Sequence, residues 1–458
     1  MKNFFLKHQV LLGWGVAFIP FYFLVTLGYS LFGYGVLSNQ TTNFLINFGL
    51  LGIFLVYFLT WQSLKNFSWQ KIDYKIVFGF SAIFILITVF LVPIVQTDLY
   101  HYFFEDVSWV VYHHNPFFTA PNDLPAEPLS VLSGWQFLGS QHGPVRALLM
   151  APVVFLSQQN IVFGLFLYKL FFGFFIFGCN FLIYKILTAL KTANFGLPFL
   201  LFSWNPLVIG ETAANGGTDI LLVFFLLLSV YFLVEKKFFW SAVALILSVL
   251  LKYITLILVP FFLVYVLVRQ KTLKQKIICL IKNIFLMGLI SVVCFLPFWG
   301  GLKTFASTLW VAQFFDVNSF PGFFSLLFFL INPALNIYSF KIIFEIAFLL
   351  VYFYLLFRFF KLKLPQPADL IHYYFLAMVW FLLLGKFWFY PKYLIWLLPL
   401  IFLDNKAYYP VGVFLSGLVV FSYAYIYLGL VAVSFVPPVL IFSFYYFFRD
   451  FEIKFFQS

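Results

Sequence analysis

Apolar runs of about twenty residues, the length a helix needs to cross a bilayer, recur along this chain from Val10 to Phe448. Only 9% of its residues are charged and 64% are hydrophobic, whereas a soluble domain carries about 25% charge. The chain therefore cannot fold as a water-soluble globule. Backbone groups find no water in hydrocarbon, so runs this long must satisfy their own hydrogen bonds as helices. The expected fold class is all-α: a polytopic helical membrane protein of about fourteen spans, forming one domain over residues 1–458.

The net charge of +12 does not point to nucleic acid, because the basic residues lie mostly in short turns between spans, as the positive-inside bias requires. The 72 Phe replace Leu on lipid-facing positions and carry little functional information. Cys179, Cys279 and Cys294 sit in apolar runs without metal-ligand spacing, so no metal or redox site is expected. The N-terminal run continues to Phe32 without a small-residue cleavage site and is expected to be a retained first helix.

Placing Lys2 and Lys7 in the cytoplasm sends a first span outward over residues 10–32, and a second returns by Trp61. Lys65, Lys71 and Lys75 then fall inside, and a third span over 76–96 delivers residues 97–146 to the outside. Spans over 161–187, 196–209 and 220–234 follow. The run 238–268 would be roughly 46 Å as one helix, too long for one crossing, so it is expected to split at Lys252 into two short spans meeting near the outer surface. A span over 277–297 leads to a second external segment at 299–338. Arg358, Lys361 and Lys363 close the next span, and turns around Phe389, at 404–406 and near Leu428 leave the C-terminus inside beside Arg449.

Residues 97–146 are the one long polar segment. They hold five of the 15 carboxylates (Asp98, Glu105, Asp106, Asp123, Glu127) and four of the six histidines (His101, His113, His114, His142), with Arg146 as their only Lys or Arg. As a helix, 98–112 puts Asp98, His101, Tyr102, Glu105, Trp109 and Tyr112 on one face and Tyr100, Phe103, Phe104, Val107 and Val111 on the other. That pattern suits a helix lying on the membrane, or an external loop helix with a solvated polar face. Residues 145–156, too short to span, belong in the same interface. Asp98 stands where the third span leaves the bilayer. A half-desolvated carboxylate there is expected to have a raised pKa and to act as a general base; capping the helix is the plainer role. Glu105 lies about 10 Å further along the helix, too far to form an acid/base pair with it.

Arg146, Lys169, Lys252, Lys303, Lys386 and Lys392 fall on the outer half, against the positive-inside trend. Such charges face a cavity or a partner. For Lys252 and Lys169 that partner is a phosphate or a carboxylate, with snorkelling to the interface as the alternative. Lys386 and Lys392 flank FWFYP, whose aromatics equally suit an interface belt.

The order TDLYHY, HHNPF, HGPV, NPL with ETAANGGTD, LSVLLKYITLILVP and FYPKYLIWLLPL, over about residues 97–400, resembles the polyprenyl-phosphate-sugar-dependent glycosyltransferases of the GT-C superfamily, most of all the bacterial mannosyltransferase-type branch. The resemblance implies Asp98 as the base, interfacial helices after it, Lys252 near the donor phosphate and a single inverting displacement. Two segments depart from the family pattern. The segment usually written with two prolines after a Tyr or His is here Gln141-His142-Gly143-Pro144. The NGHND equivalent is Asn215-Gly216-Gly217-Thr218-Asp219, which leaves Asp219 either at substrate or capping the next span.

The expectation is an integral membrane glycosyltransferase that moves mannose or another hexose from a polyprenyl-phosphate donor to an external glycan or glycolipid. It would sit in a bacterial cytoplasmic membrane with its site on the external face, need no cofactor or metal, and have membrane lipids, donor and acceptor as partners, without nucleic acid. Asp98 is the candidate catalytic residue. Lys252, Lys169, Arg146 and Lys392 are the candidate phosphate cations, and Tyr102, Glu105, His142, Asn215 and Asp219 the candidate substrate contacts. A transporter or lipid flippase, which would need a central water-filled pathway, and a glycan polymerase or ligase are the competing classes.

Overall fold

The computed structural model describes residues 2–33, 39–91, 98–158, 160–314, 319–332 and 337–417, and among them the named elements are all helical. The end of the third span at 92–96, the turn near Leu428 and the terminus beside Arg449 lie outside the described residues.

Helix α1 (Lys2–Gly33) packs along α2 (Asn39–Leu64) and α3 (Lys71–Val89). Glycine permits the close approach: a Cβ on Gly52 would lie 2.2 Å from the Phe21 ring. Asp73 accepts from the Gln70 backbone N–H at 2.7 Å and meets His8 Nδ1 at 2.6 Å, which ties the start of α3 to α1. The lysine-bearing turn before α3 and Asp98 after it are thus separated by about 28 Å of helix.

Next come α4 (Asp98–Val110), α5 (Pro128–Leu132) and α6 (Pro144–Ser157). The amphipathic helix expected over 98–112 forms two residues shorter, and its polar face is not solvated. His101, Glu105 and Asp106 are fully buried, because Arg146 of α6 lies over them. On the apolar face Phe103 meets Tyr168 of α7 (Ile161–Ala189), ring centroids 4.9 Å apart.

The expected span 196–209 is divided. Helix α8 (Gly196–Ser203) stops, Asn205 caps α9 (Pro206–Ile209), and a π turn over Gly210–Ala214 leads to α10 (Asp219–Val234). Asn205 accepts from the Leu207 and Val208 N–H groups at 3.0 and 3.2 Å and donates to Tyr57 and Ser416, so the break is locked in place.

The run 238–268 breaks where its length requires. Helix α11 (Phe238–Val249) ends, Lys252 is extended, and a 3-10 turn (Tyr253–Leu258) enters α12 (Val259–Leu267). The carbonyls left open by the break are taken by the start of α6: Gly143 N–H donates to Leu251 at 3.0 Å and Val145 N–H to Leu250 at 3.2 Å. Any larger residue at 143 would clash, since a Cβ there would lie 1.9 Å from the Leu250 carbonyl oxygen. This junction places His142 and Lys252 around one small cavity.

Helix α13 (Leu273–Phe295) precedes α14 (Ala306–Val311) and α15 (Phe320–Ile331). After α16 (Ile337–Lys361), α17 (Pro367–Trp380) runs into a second π turn (Phe381–Gly385), then a 3-10 turn (Pro391–Trp396), α18 (Leu398–Leu403) and α19 (Tyr409–Ser416).

Among the described residues seven helices are long and apolar enough to cross a membrane: His8–Gly28, Phe44–Leu64, Lys71–Val89, Ile161–Ala189, Leu273–Phe298, Phe340–Lys361 and Pro367–Gly385. The expected count of about fourteen crossings is not reached among the described residues: α10 and α11, expected as spans, are apolar but shorter than these seven. Along α13 and α16 large apolar side chains stand exposed, as suits contact with lipid.

Candidate active site

Asp98 is the first residue of α4. Its Oδ1 accepts from the Trp135 indole N–H at 2.8 Å and its Oδ2 from Lys392 Nζ, 294 residues away in sequence. The Trp388 ring stands edge-on to Trp135 and holds it there. The expected raised pKa is not found. Burial does push this carboxyl up, but the Lys392 ammonium and the Trp135 N–H more than reverse it and hold it at about 2. Asp98 is an ionised carboxylate clamped to a cation.

A second carboxylate repeats the pattern. Asp219, at the start of α10, accepts from Lys252 Nζ at 2.8 Å and from the Trp396 indole at 2.7 Å. Its side chain is engaged across the fold, a role the sequence left open against capping. Lys252 also lies 5.0 Å from the ring centroids of both Tyr393 and Trp396. Burial lowers its pKa, with Asp219 opposing. Lys386, reached through the second π turn, also lies 5.0 Å from the Tyr393 ring centroid, and Lys392 lies 5.3 Å from that of Tyr390.

His142 and Arg146 join Thr218, Asp219 and Lys252 around a cavity of about 10 Å³, room for roughly one water. The His142 ring stands perpendicular to Tyr102 at 4.9 Å. Burial and then the Lys252, Arg146 and Lys392 charges push its pKa well down, so the imidazole is neutral.

Behind this group lies a sealed ionic cluster. Arg146, 1% exposed, donates to Asp106 at 2.8 Å and pairs with Glu105. Tyr168 donates to the same Asp106 oxygen at 2.6 Å, and His101 Nε2 lies 3.0 Å from Glu105. Burial raises the Asp106 carboxyl to about 7 against the pull of Arg146, while Glu105 is held below its ordinary value by Arg146 and His101 despite its burial.

The structure therefore brings together Asp98, Tyr102, His142, Asp219, Lys252 and Lys392. Four other sequence candidates have their side chains engaged by other protein groups. Arg146, expected at the donor phosphate, already has two carboxylates, and Glu105, expected at substrate, is one of them. Lys169 is buried and donates to the carbonyls of Thr88 and Leu91 at the end of α3. Asn215 donates to Glu211 at 3.4 Å and lines a separate small apolar cavity with Tyr22 and Thr88.

Sequence reasoning did not single out Asp106, Tyr168, Trp135, Trp396 or Lys386 for the site. A signal existed for one of them: Arg146 is the only Lys or Arg in a segment with five carboxylates, so adjacent Glu105 and Asp106 were its natural partners.

Residues 11–269 match the family model described as alpha-(1->6)-mannopyranosyltransferase, N-terminal domain. A comparison with curated proteins finds no match. The matched stretch is more than half of the chain and contains Asp98, the Arg146 cluster, Asp219 and Lys252, while Lys386 and Lys392 lie beyond it. The chain belongs to the alpha-(1->6)-mannopyranosyltransferase family, a family of GT-C-type glycosyltransferases.

Proposed function

We propose that this enzyme transfers mannose from a polyprenyl-phosphate donor to a hydroxyl of an external glycan or glycolipid, at the outer face of a bacterial cytoplasmic membrane. The observation that carries this is the convergence of a carboxylate at the head of α4 with lysines from two distant parts of the chain. The acceptor hydroxyl attacks the anomeric carbon and gives its proton to Asp98. The bond to the phosphate oxygen breaks with its electron pair, and the polyprenyl phosphate leaves as an anion. Lys252 and Lys392 offset that developing charge, so one base and no acid suffices. His142 and Tyr102 wall the sugar side of the site, and Asp219 with Trp396 aims Lys252. No metal is required by this scheme.

Lys252→Gln tests the donor site. A charge-assisted contact contributes about 1.5–3 kcal/mol, so donor use should weaken roughly ten- to a hundred-fold while acceptor dependence changes much less. Asp219 keeps the Trp396 indole in this variant. Donor saturation curves that overlay those of the wild type would remove Lys252 from phosphate binding.

The external placement is tested at Asn122, which is exposed in segment 97–146. A cysteine placed there should react with an impermeant maleimide on intact cells. Background is low, because Cys179 is buried and Cys279 and Cys294 are half-buried. Labelling seen only after lysis would put this segment on the inside.

A further inference from the structure

Three lysines meet two carboxylates at the site. Lys252 has Asp219 and Lys392 has Asp98, but Lys386 makes no ion pair among the described residues. It is largely enclosed beside Tyr393, and burial, followed by repulsion from Lys252 and Lys392, outweighs the attraction of Asp219, which is already paired with Lys252, and lowers its pKa to about 8. A desolvated cation without a counter-ion is costly, and the arrangement lacks one negative charge. The geometry at Asp98 poses a second problem. A carboxylate that accepts from an ammonium and an indole N–H is stabilised in its ionised form and is a poor base for an acceptor hydroxyl. One ligand resolves both.

We propose that the donor's phosphate docks on Lys386 and draws Lys392 off Asp98, so that the carboxylate is released as a base only when the donor is loaded. This rests on Asp98 being the base of the transfer proposed above. Lys392 Nζ can turn from one oxyanion to another by rotating a flexible side chain. Before transfer the phosphate is a diester with a single charge, and Lys392 is shared between it and Asp98. As the glycosidic bond breaks, the phosphate gains charge at the moment Asp98 gains a proton and loses its own. Both changes move Lys392 in the same direction, so the exchange is strongest in the transition state, where it lowers the barrier. An enzyme without donor then holds an inert carboxylate, which limits proton abstraction from water or acceptor before the sugar is in place.

The exchange makes Asp98 a competitor of the phosphate, and this is measurable without turnover. The probe is a short-chain polyprenyl phosphate, titrated against full-length protein in detergent micelles. Asp98→Asn should bind it about ten-fold tighter than the wild type, and Lys386→Gln about ten-fold weaker. In a Lys392→Met background most of the gain from Asp98→Asn should vanish, because no shared cation remains. A gain in affinity cannot arise from misfolding. The proposal is overturned if Asp98→Asn changes affinity equally in both backgrounds, which is simple charge repulsion, or if Lys386→Gln binds like the wild type. Failure of the wild type itself to bind the probe would instead overturn the polyprenyl-phosphate donor, and the exchange with it.

Discussion

Asp98→Asn abolishes transfer in this account, lowering kcat by about 10²-fold or more, the range set by loss of a positioned general base. The amide preserves the shape of the side chain, and its oxygen can still accept from the Trp135 indole, but it cannot take a proton at neutral pH. The substitution also removes the partner of Lys392. The protein should nonetheless remain folded, because α4 is held mainly by Phe103, Phe104 and Val107 on one face and by Arg146 on the other. Single-turnover transfer, measured alongside thermal melting, separates the two effects. Turnover near the wild-type level would take Asp98 out of the mechanism.

Arg146→Met acts in the opposite way, on the fold rather than on the chemistry. It leaves Glu105 and Asp106 buried with one fewer cation between them and the Arg146 charge gone. Breaking a buried pair by removing one partner costs about 3–5 kcal/mol, enough to lower the melting temperature well outside error or to prevent recovery of the protein. Arg146→Lys should rescue poorly, since a single ammonium cannot serve two carboxylates in the geometry of the guanidinium fork. A direct phosphate ligand would behave differently: melting would be unchanged and donor use weakened. Finding that second pattern would return Arg146 to the donor site.

The membrane class and the break at Lys252 were legible because both follow from length. A run of apolar residues longer than a bilayer is thick must divide, and the lysine marks where. The head of α4 was legible for a similar reason, since Asp98 stands at the end of an apolar span. What the sequence could not supply was pairing across the chain. The polar face of α4 looks solvated in isolation, and only Arg146, arriving on α6 through the Gly143–Leu251 junction, turns it into a buried cluster. Likewise the pKa of Asp98 was expected to rise, because the sequence shows its depth but not the ammonium that 294 residues of chain bring to it.

Lys169 teaches the same point from the other side. A lysine within an outer half-span must have a partner, and the sequence cannot tell a ligand from the protein's own carbonyls; here the carbonyls of Thr88 and Leu91 take it. The two π turns were also invisible to periodicity. They precede the Asn215–Asp219 turn and Lys386, and such irregular turns often occur at functional sites.

The most direct test of the central claim is transfer by purified protein in detergent or nanodiscs, supplied with a panel of polyprenyl-phosphate sugars and a mannan-type acceptor. The account predicts mannosyl transfer from polyprenyl-phosphate mannose, an α-linked product and none of this activity in Asp98→Asn. Transfer from a soluble nucleotide sugar instead, with every polyprenyl-phosphate donor left unused, would contradict it.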